Sequence, residues 1–323
     1  MTLVTLDAIY EARQRLPSQV FRTPLIPFGP SDPKRPLLLK AESLQPTGAF
    51  KMRGAYNKIL RVLAKGPVSG VVAQSSGNHG RAVAYVAKEL GLESTIVMPI
   101  GAPPGKVDAI RALGAEVILV PPPDRESGVM QVVNERGYIP IPPYDDLEII
   151  AGQGTLGLEI VEDCPDLDVV LCPIGGGGLI SGVAAAVKSL RPSVRVIGVE
   201  PELAADAQES LRAGHRVKWD VEATYRTVAD GLRTEAVGHA GWEHIQALVD
   251  DIVTVSETEI LEAVYRLATD ARLVAETSGA VTLAAYLNRG MGTIPDTGNY
   301  VAIVSGGSID APALADILYT GVR

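Results

Sequence analysis

The sequence predicts an α/β protein made of two open, twisted, mostly parallel sheet domains with helices on both faces. Three observations lead there. Short β-branched runs alternate with longer stretches of helical periodicity, the pattern of strand–helix–strand crossovers. The alternation falls into two series. And the chain carries 33 glycines in 323 residues with only 5% aromatics, several of the glycines grouped just after predicted strands, where open parallel sheets bind their ligands.

The opening stretch MTLVTLDAIYEARQRL has the spacing of an amphipathic helix. It lacks a positive n-region followed by an apolar run, so no signal peptide is expected. A first series of strands is predicted over 71–73, 95–98, 117–120 and 138–141, with helices over 81–90, 106–113 and 125–135 between them. A second series has strands over 169–172, 196–199, 252–255 and 300–304. Its helices are expected to begin near Leu179, Leu203, Glu257, Gly279 and Ala311. Ser256 with Glu259 three residues on predicts a capping box at one of them. Residues 65–69 and the Pro- and Asp-rich stretch 140–146 are the expected crossings between the two series. The smaller domain, 67–145, is then an insertion into a larger one formed by 1–66 and 146–323.

Composition narrows the function. A 46% hydrophobic content excludes disorder. A net charge of −9 without a basic run argues against nucleic acid and anionic membrane surfaces as partners. No run of ~18 apolar residues suggests a membrane span. Two cysteines, Cys164 and Cys172, cannot form a disulfide framework and point to a reducing cytoplasm.

Four segments carry chemistry. Pro173-Ile174-Gly175-Gly176-Gly177-Gly178-Leu179 follows a predicted strand and opens a predicted helix. Backbone N–H groups free of side chains, at the positive end of a helix, suit a phosphate. The segment is neither a Walker A loop nor G-x-G-x-x-G, since Ile180 takes the last position. Gln74-Ser75-Ser76-Gly77-Asn78-His79-Gly80 also joins a strand to a helix, and gathers enough donors to hold a carboxylate; N-capping alone explains one serine and one asparagine. In Gln45-Pro46-Thr47-Gly48-Ala49-Phe50-Lys51, a turn opens a helix with Lys51 in its first turn. The helix dipole disfavours a cation there, which helps to lower a lysine pKa, as a nucleophilic lysine needs. Ser305-Gly306-Gly307-Ser308 is a further strand-end glycine turn, for which turn chemistry and function are equally good explanations.

In this order the four segments resemble the serine/threonine dehydratase and serine racemase family, enzymes of pyridoxal phosphate (PLP) on the tryptophan-synthase-β fold, PLP fold type II. The likeness runs from Arg22-Thr23-Pro24-Leu25 to Ser308. It implies that Lys51 forms the Schiff base with PLP, with Phe50 against the pyridine ring, Asn78 at the 3-oxygen and Gly175, Gly176, Gly177 and Gly178 on the phosphate. Ser305 would face the ring nitrogen, and Gly231 and Glu276 would belong to the cofactor's surroundings. Ser75, Ser76, Gly77, Asn78 and His79 match the substrate-carboxylate loop, and Ser76 matches the serine that handles the proton on the opposite face in racemases. Glu200-Pro201-Glu202-Leu203-Ala204-Ala205-Asp206 matches the cation site of the metal-activated branch: carboxylates of Glu200 and Asp206 with the carbonyl of Ala204, an all-oxygen set suited to Mg²⁺, Ca²⁺ or Mn²⁺. A homodimer is also implied by the family.

The chain departs from the family at several places. Ser308 stands where S-G-G-N has asparagine, Glu276-Thr277-Ser278 replaces E-P-T, and Pro142-Pro143-Tyr144 replaces H-P-[FN]. The aromatic at Tyr144 is closer to dehydratases than to animal racemases. Ser127 falls where racemases carry a substrate-loop arginine, which disfavours a dicarboxylic substrate. The expected activity is that of a PLP-dependent L-serine/L-threonine ammonia-lyase acting on a small hydroxy amino acid. Serine racemisation and 3-hydroxyaspartate dehydration are the alternatives. More distant are β-replacement and a non-catalytic PLP- or amino-acid-binding regulator.

Overall fold

The computed structural model describes residues 2–75, 77–102, 104–288 and 294–320. Helices α1 (Leu6–Arg15) and α2 (Lys51–Leu63) flank two short strands, β1 (Leu25–Pro27) and β2 (Leu37–Ala41). Next come β3 (Gly70–Gln74), α3 (Asn78–Glu89), β4 (Glu93–Pro99), α4 (Pro104–Ala112), β5 (Glu116–Val120), α5 (Arg125–Arg136) and β6 (Ile139–Pro140). The long helix α6 (Leu147–Asp163) leads to β7 (Leu167–Pro173), α7 (Gly178–Leu190), β8 (Arg195–Pro201), α8 (Asp206–Ala213), α9 (Val221–Thr224) and α10 (His239–Leu248). The chain ends with β9 (Asp251–Val255), α11 (Glu257–Thr269), α12 (Thr277–Asn288), β10 (Asn299–Val304) and α13 (Ala311–Thr320).

These strands form two sheets. One has four strands in the order β5-β4-β3-β6, all parallel. The other has six, β1-β2-β10-β7-β8-β9, parallel except where β1 runs against β2. Five of the seven residues of β7 and five of the six of β10 are buried in succession. That is how strands look when helices cover both sheet faces, and why they read as apolar runs and not as alternations.

Most elements fall where the sequence puts them. The Ser256/Glu259 capping box is present at the start of α11. Two boundaries move for local reasons. Helix α8 starts at Asp206 and not near Leu203, because a turn closed by Ala204 N–H on the Pro201 carbonyl (2.9 Å) uses the intervening residues. The strand expected over 138–141 shortens to Ile139–Pro140, since Pro140 has no N–H for the ladder.

Five elements go beyond the sequence prediction: β1, β2, α6, α9 and α10. Helix α6 is apolar on almost every side and carries Gly152, Gly154 and Gly157, residues that weaken an isolated helix by ~1 kcal/mol each. Packing explains them. A Cβ at Gly152 would stand 2.6 Å from the Arg53 carbonyl, and one at Gly157 2.8 Å from the Ala186 methyl. The glycines let α6 pack closely between α2 and α7, so tertiary contact overrides propensity. Among the described residues no helix is long and apolar enough to cross a membrane. Cys164 and Cys172 are free and buried.

Candidate active site

The turn that opens α2 lies on the turn that ends β10. Phe50 N–H donates to the Ser305 carbonyl (3.1 Å), Gly307 N–H to the Gly48 carbonyl (2.8 Å), and Ala49 pairs with Gly306 as an isolated bridge. A chain held this firmly on both sides fixes where Lys51 emerges. Its Nζ donates to the Pro143 carbonyl (2.9 Å) and lies 5.0 Å from the centre of the Phe50 ring. Loss of hydration lowers the ammonium pKa to about 8, an effect that the nearby Glu276 carboxylate opposes.

Pro143 and the next residue, Tyr144, connect Lys51 to the glycine loop. The Tyr144 ring fills the space that a Cβ of Gly176 would need, and a Cβ at Gly178 would stand 3.0 Å from the Tyr144 Cα. Gly177 has φ +86°, a left-handed conformation that costs glycine little. The loop ends at the N-terminus of the 13-residue helix α7, so unobstructed N–H groups and the helix dipole meet at one place, suited to a phosphate. Loop 230–232 closes one side: the Gly231 carbonyl is 3.3 Å from a Cβ at Gly175, and Gly231 N–H donates to Ser278 Oγ (2.8 Å).

Glu276 joins the two sheet units at this point. Asn78, the first residue of α3, donates from Nδ2 to Glu276 Oε1 (2.6 Å). The Glu276 N–H donates to the Gly306 carbonyl (3.1 Å), and its carboxylate lies where a Gly306 Cβ would be. Burial, then the Asp230 carboxylate, raises its pKa to about 7. Ser305 is buried at the end of β10. The Ser308 hydroxyl is buried without a hydrogen-bond partner, which leaves a polar atom beside this turn free for another group.

The expected carboxylate loop is partly engaged in its own structure. Ser75 Oγ accepts from Gly77 N–H (3.1 Å). His79 is buried, with Nε2 2.8 Å from the Ile141 carbonyl. A carbonyl only accepts, so Nε2 carries the proton. Burial and the Lys51 ammonium hold the imidazole pKa down to about 3, so His79 anchors the loop as a neutral ring. Ser76 lies outside the described residues.

Behind α2, Arg53 is fully buried between two carboxylates. Its guanidinium donates to Glu42 (2.8 Å from both Nε and Nη2), to Glu159 (2.6 and 2.9 Å), to the Thr155 hydroxyl and to the Phe21 carbonyl. Lys40 Nζ completes the cluster on Glu159 (2.6 Å) and the Thr23 carbonyl (2.7 Å).

The carboxylates of Glu200 and Asp206 come together behind the Val237–Gly238 segment that packs on the glycine loop, where Gly238 N–H donates to the Gly176 carbonyl (3.1 Å), and both have no exposed surface. Glu200 accepts from the Ala207 and Gln208 N–H groups (3.0 and 2.8 Å), and Asp206 Oδ2 from Val237 N–H (2.8 Å). Asp206 Oδ1 is buried without a partner. Burial raises both pKa values, Asp206 to about 7, and the Asp206 charge pushes Glu200 up further. Two buried carboxylates with a free oxygen are short of positive charge, and an oxygen-liganded cation fits there. Among the described residues no group of three or more His, Cys, Asp or Glu side chains is set to hold a metal, so such a cation would draw its other ligands from the backbone, with buried Ala204 adjacent, and from water.

Sequence inspection notes Pro143 and Tyr144 only as a departure from the family pattern, without placing them in the site, and passes over the ion pair of Lys106 with Asp230 (2.7 Å). The first has a signal, an aromatic in a proline-rich crossing opposite a glycine that needs an occupant. The second has none, because its partners are 124 residues apart.

Comparison with known proteins agrees with this geometry. Residues 16–306 match the family model described as "Pyridoxal-phosphate dependent enzyme". The chain is 42% identical to L-threonine ammonia-lyase of Thermotoga maritima over 99% of its own length and 79% of that protein. It is 41% identical to serine racemase of Arabidopsis thaliana over 96% and 94% of the two chains. The solved structure of maize serine racemase superposes with a TM-score of 0.91 at 36% identity, covering 99% of this chain and 98% of that one. With a half-buried lysine of depressed pKa joined through Pro143 and Tyr144 to a glycine loop at a helix N-terminus, the chain belongs to the family of pyridoxal-phosphate-dependent enzymes.

Proposed function

We propose that this protein is an L-serine/L-threonine ammonia-lyase that forms pyruvate or 2-oxobutyrate together with ammonia. The observation that carries the reading is Lys51, whose amine is held by the Pro143 carbonyl at a depressed pKa. Phe50, Lys51, Asn78, Gly175, Gly176, Gly177, Gly178, Gly231, Glu276 and Ser305 would hold the cofactor, with Ser75, Ser76, Gly77, Asn78 and His79 on the substrate side. Bound there, PLP supplies an electron sink that acidifies the substrate Cα–H. With a pKa of about 8, about a tenth of the Lys51 amine is neutral at pH 7, enough for it to act as nucleophile and as the base that removes the Cα proton on its own face. The N-terminal end of α3 offers its N–H groups to the substrate carboxylate. Asn78, held by Glu276, keeps its amide orientation fixed. A hydroxyl at Ser305 does not force a proton onto a ring nitrogen as an aspartate would, which keeps the electron sink weak and suits elimination of a β-hydroxyl.

The supporting relatives include both ammonia-lyases and a serine racemase, so a small racemase component is part of the reading, with Ser76 as the group on the opposite face. The deciding experiment incubates the PLP-loaded enzyme with L-serine and measures pyruvate against D-serine. Pyruvate is expected to dominate. D-serine in large excess would overturn the assignment as a lyase.

We further propose a divalent cation, Mg²⁺, Ca²⁺ or Mn²⁺, between Glu200 and Asp206 with the Ala204 carbonyl. Chelation is expected to lower the melting temperature by about 4 °C and millimolar cation to restore it, the effect of binding at roughly a hundred times Kd. Asp206→Asn should abolish the response. A melting temperature indifferent to both chelator and cation would remove the site. The same reading divides the chain into a small domain, 67–145, and a large one, 1–66 with 146–323, in a homodimer of the cytoplasm, where the two buried thiols stay reduced.

A further inference from the structure

We propose that the Lys106–Asp230 ion pair is a specificity determinant: while paired, it turns away amino acids with a second carboxylate, and release of Lys106 admits them. The inference rests on the amino-acid lyase reading above and names which side chains that site refuses.

The pair joins the two sheet units at the rim of the site. Lys106 stands on α4, which packs beside the four-stranded sheet, and Asp230 on the loop that faces the glycine loop of the other. Their nitrogen and oxygen are 2.7 Å apart, and 28% and 41% of the two side chains remain exposed, so both charges stay within reach of a molecule entering from solvent. They are not remote from the chemistry. Asp230 precedes Gly231, whose carbonyl lies against Gly175, and both charges act on the buried Glu276, which is hydrogen-bonded to Asn78.

Counting charge on this wall gives the preference its sign. At neutral pH Asp230 contributes one carboxylate charge, Glu276 with its pKa of about 7 roughly half of one, and Lys106 one ammonium, so the wall stays net negative. The neighbouring cation Arg233 is turned away, with Nε and Nη2 on the Thr227 carbonyl (3.0 and 2.6 Å). The side chains of serine and threonine are uncharged and meet no penalty. A β-carboxylate is repelled by Asp230 and Glu276, while Lys106, already engaged by Asp230, has little attraction left to offer. Asp230→Asn removes one negative charge and frees the ammonium in a single isosteric change. Lys106→Met does the opposite and leaves Asp230 unopposed.

The test uses the PLP-loaded enzyme and two probes. L-threo-3-hydroxyaspartate can undergo the same reaction as threonine: the Cα proton and the β-hydroxyl leave as water, and the resulting imine takes up water to release oxaloacetate and ammonia. Its kcat/KM is compared with that of L-threonine. L-aspartate lacks the β-hydroxyl, and its Kd by titration calorimetry reads binding without turnover. Asp230→Asn should raise the hydroxyaspartate-to-threonine ratio by roughly fivefold and tighten L-aspartate by a similar factor, whereas Lys106→Met should move both the other way, the scale expected of partly exposed charges. Melting temperatures within about 2 °C of the parent would exclude loss of the fold, since such pairs contribute little stability. Ratios and Kd values unchanged within twofold in both variants, or shifted in the same direction by both, would overturn the proposal; a common shift would make the pair a clasp between the two units and not a charge filter. If the parent enzyme forms no keto acid from serine or threonine, the lyase reading fails, and the L-aspartate Kd values still decide the role of the pair.

Discussion

Lys51→Ala is expected to fold, to bind PLP only non-covalently, and to form keto acid more than about a thousandfold more slowly than the parent, the scale of losing a positioned base together with its nucleophile. Folding should survive, because among the described residues Nζ makes a single hydrogen bond, to the Pro143 carbonyl, and the turn ahead of α2 is held by the backbone contacts of Gly48, Ala49 and Phe50. The visible absorption band of lysine-bound cofactor should disappear in the variant. In the parent protein stripped of cofactor, pH dependence supplies a second measurement. The neutral amine is the nucleophile, and burial lowers the ammonium pKa to about 8 against the opposing pull of Glu276. The rate of cofactor attachment should therefore rise about tenfold per pH unit below 8 and level off above it. Glu276→Gln removes the opposing charge and should move that midpoint down. A midpoint near the ordinary lysine value of about 10.4, or a band that persists in Lys51→Ala, would take Lys51 out of its role.

Much of this site is legible in the sequence because its parts are local. The segments 173–179, 74–80 and 305–308 each combine a strand end, glycines and the start of a helix or turn within a few residues, and the structure has a strand ending at Pro173, Gln74 and Val304 in turn. Strands β7, β8 and β10 each carry an apolar run of at least four residues, over 169–173, 196–199 and 300–304, for the same reason that those residues are buried. What stays hidden depends on partners distant in sequence. Helix α6 looks like a poor helix, with three glycines in six residues, until α2 and α7 are seen to need the space. Strands β1 and β2 are three and five residues long and bounded by prolines, too short for a periodicity to emerge. That Tyr144 packs on the glycine loop becomes visible only when Gly176 is known to face it. Arg53 lies two residues after the lysine that drew attention, yet nothing near it in sequence predicts that it is fully buried.

That burial makes Arg53→Met the largest expected loss of stability. Arg53 holds Glu42 and Glu159 together with charge-assisted hydrogen bonds of 2.6–2.9 Å, with Arg53 and Glu42 fully buried. Removing the guanidinium leaves Lys40 to pair with Glu159 and strands the Glu42 carboxylate, with the Thr23 hydroxyl and Gln45 amide as its remaining side-chain donors. A buried charge left without its partner typically costs about 3–5 kcal/mol, or roughly 6 °C in melting temperature for a chain of this size. The loss should depend on pH in a direction that identifies its cause. In the parent, burial raises the Glu42 pKa but the Arg53 charge and hydrogen bonds outweigh it, so the carboxyl sits below its ordinary value of 4.5. A depressed folded-state pKa contributes stability that is present above that ordinary value and is lost as pH falls through the folded one. In Arg53→Met burial acts largely unopposed, the pKa rises, and protonation now stabilises the fold. The gap in melting temperature between parent and variant should therefore narrow as pH falls from 7 towards 4.5. Adding Glu42→Gln to Arg53→Met removes the stranded charge and should recover a large part of the loss at pH 7. A gap that does not change with pH, or a double variant no more stable than the single one, would mean that Arg53 acts by filling space and not by its charge.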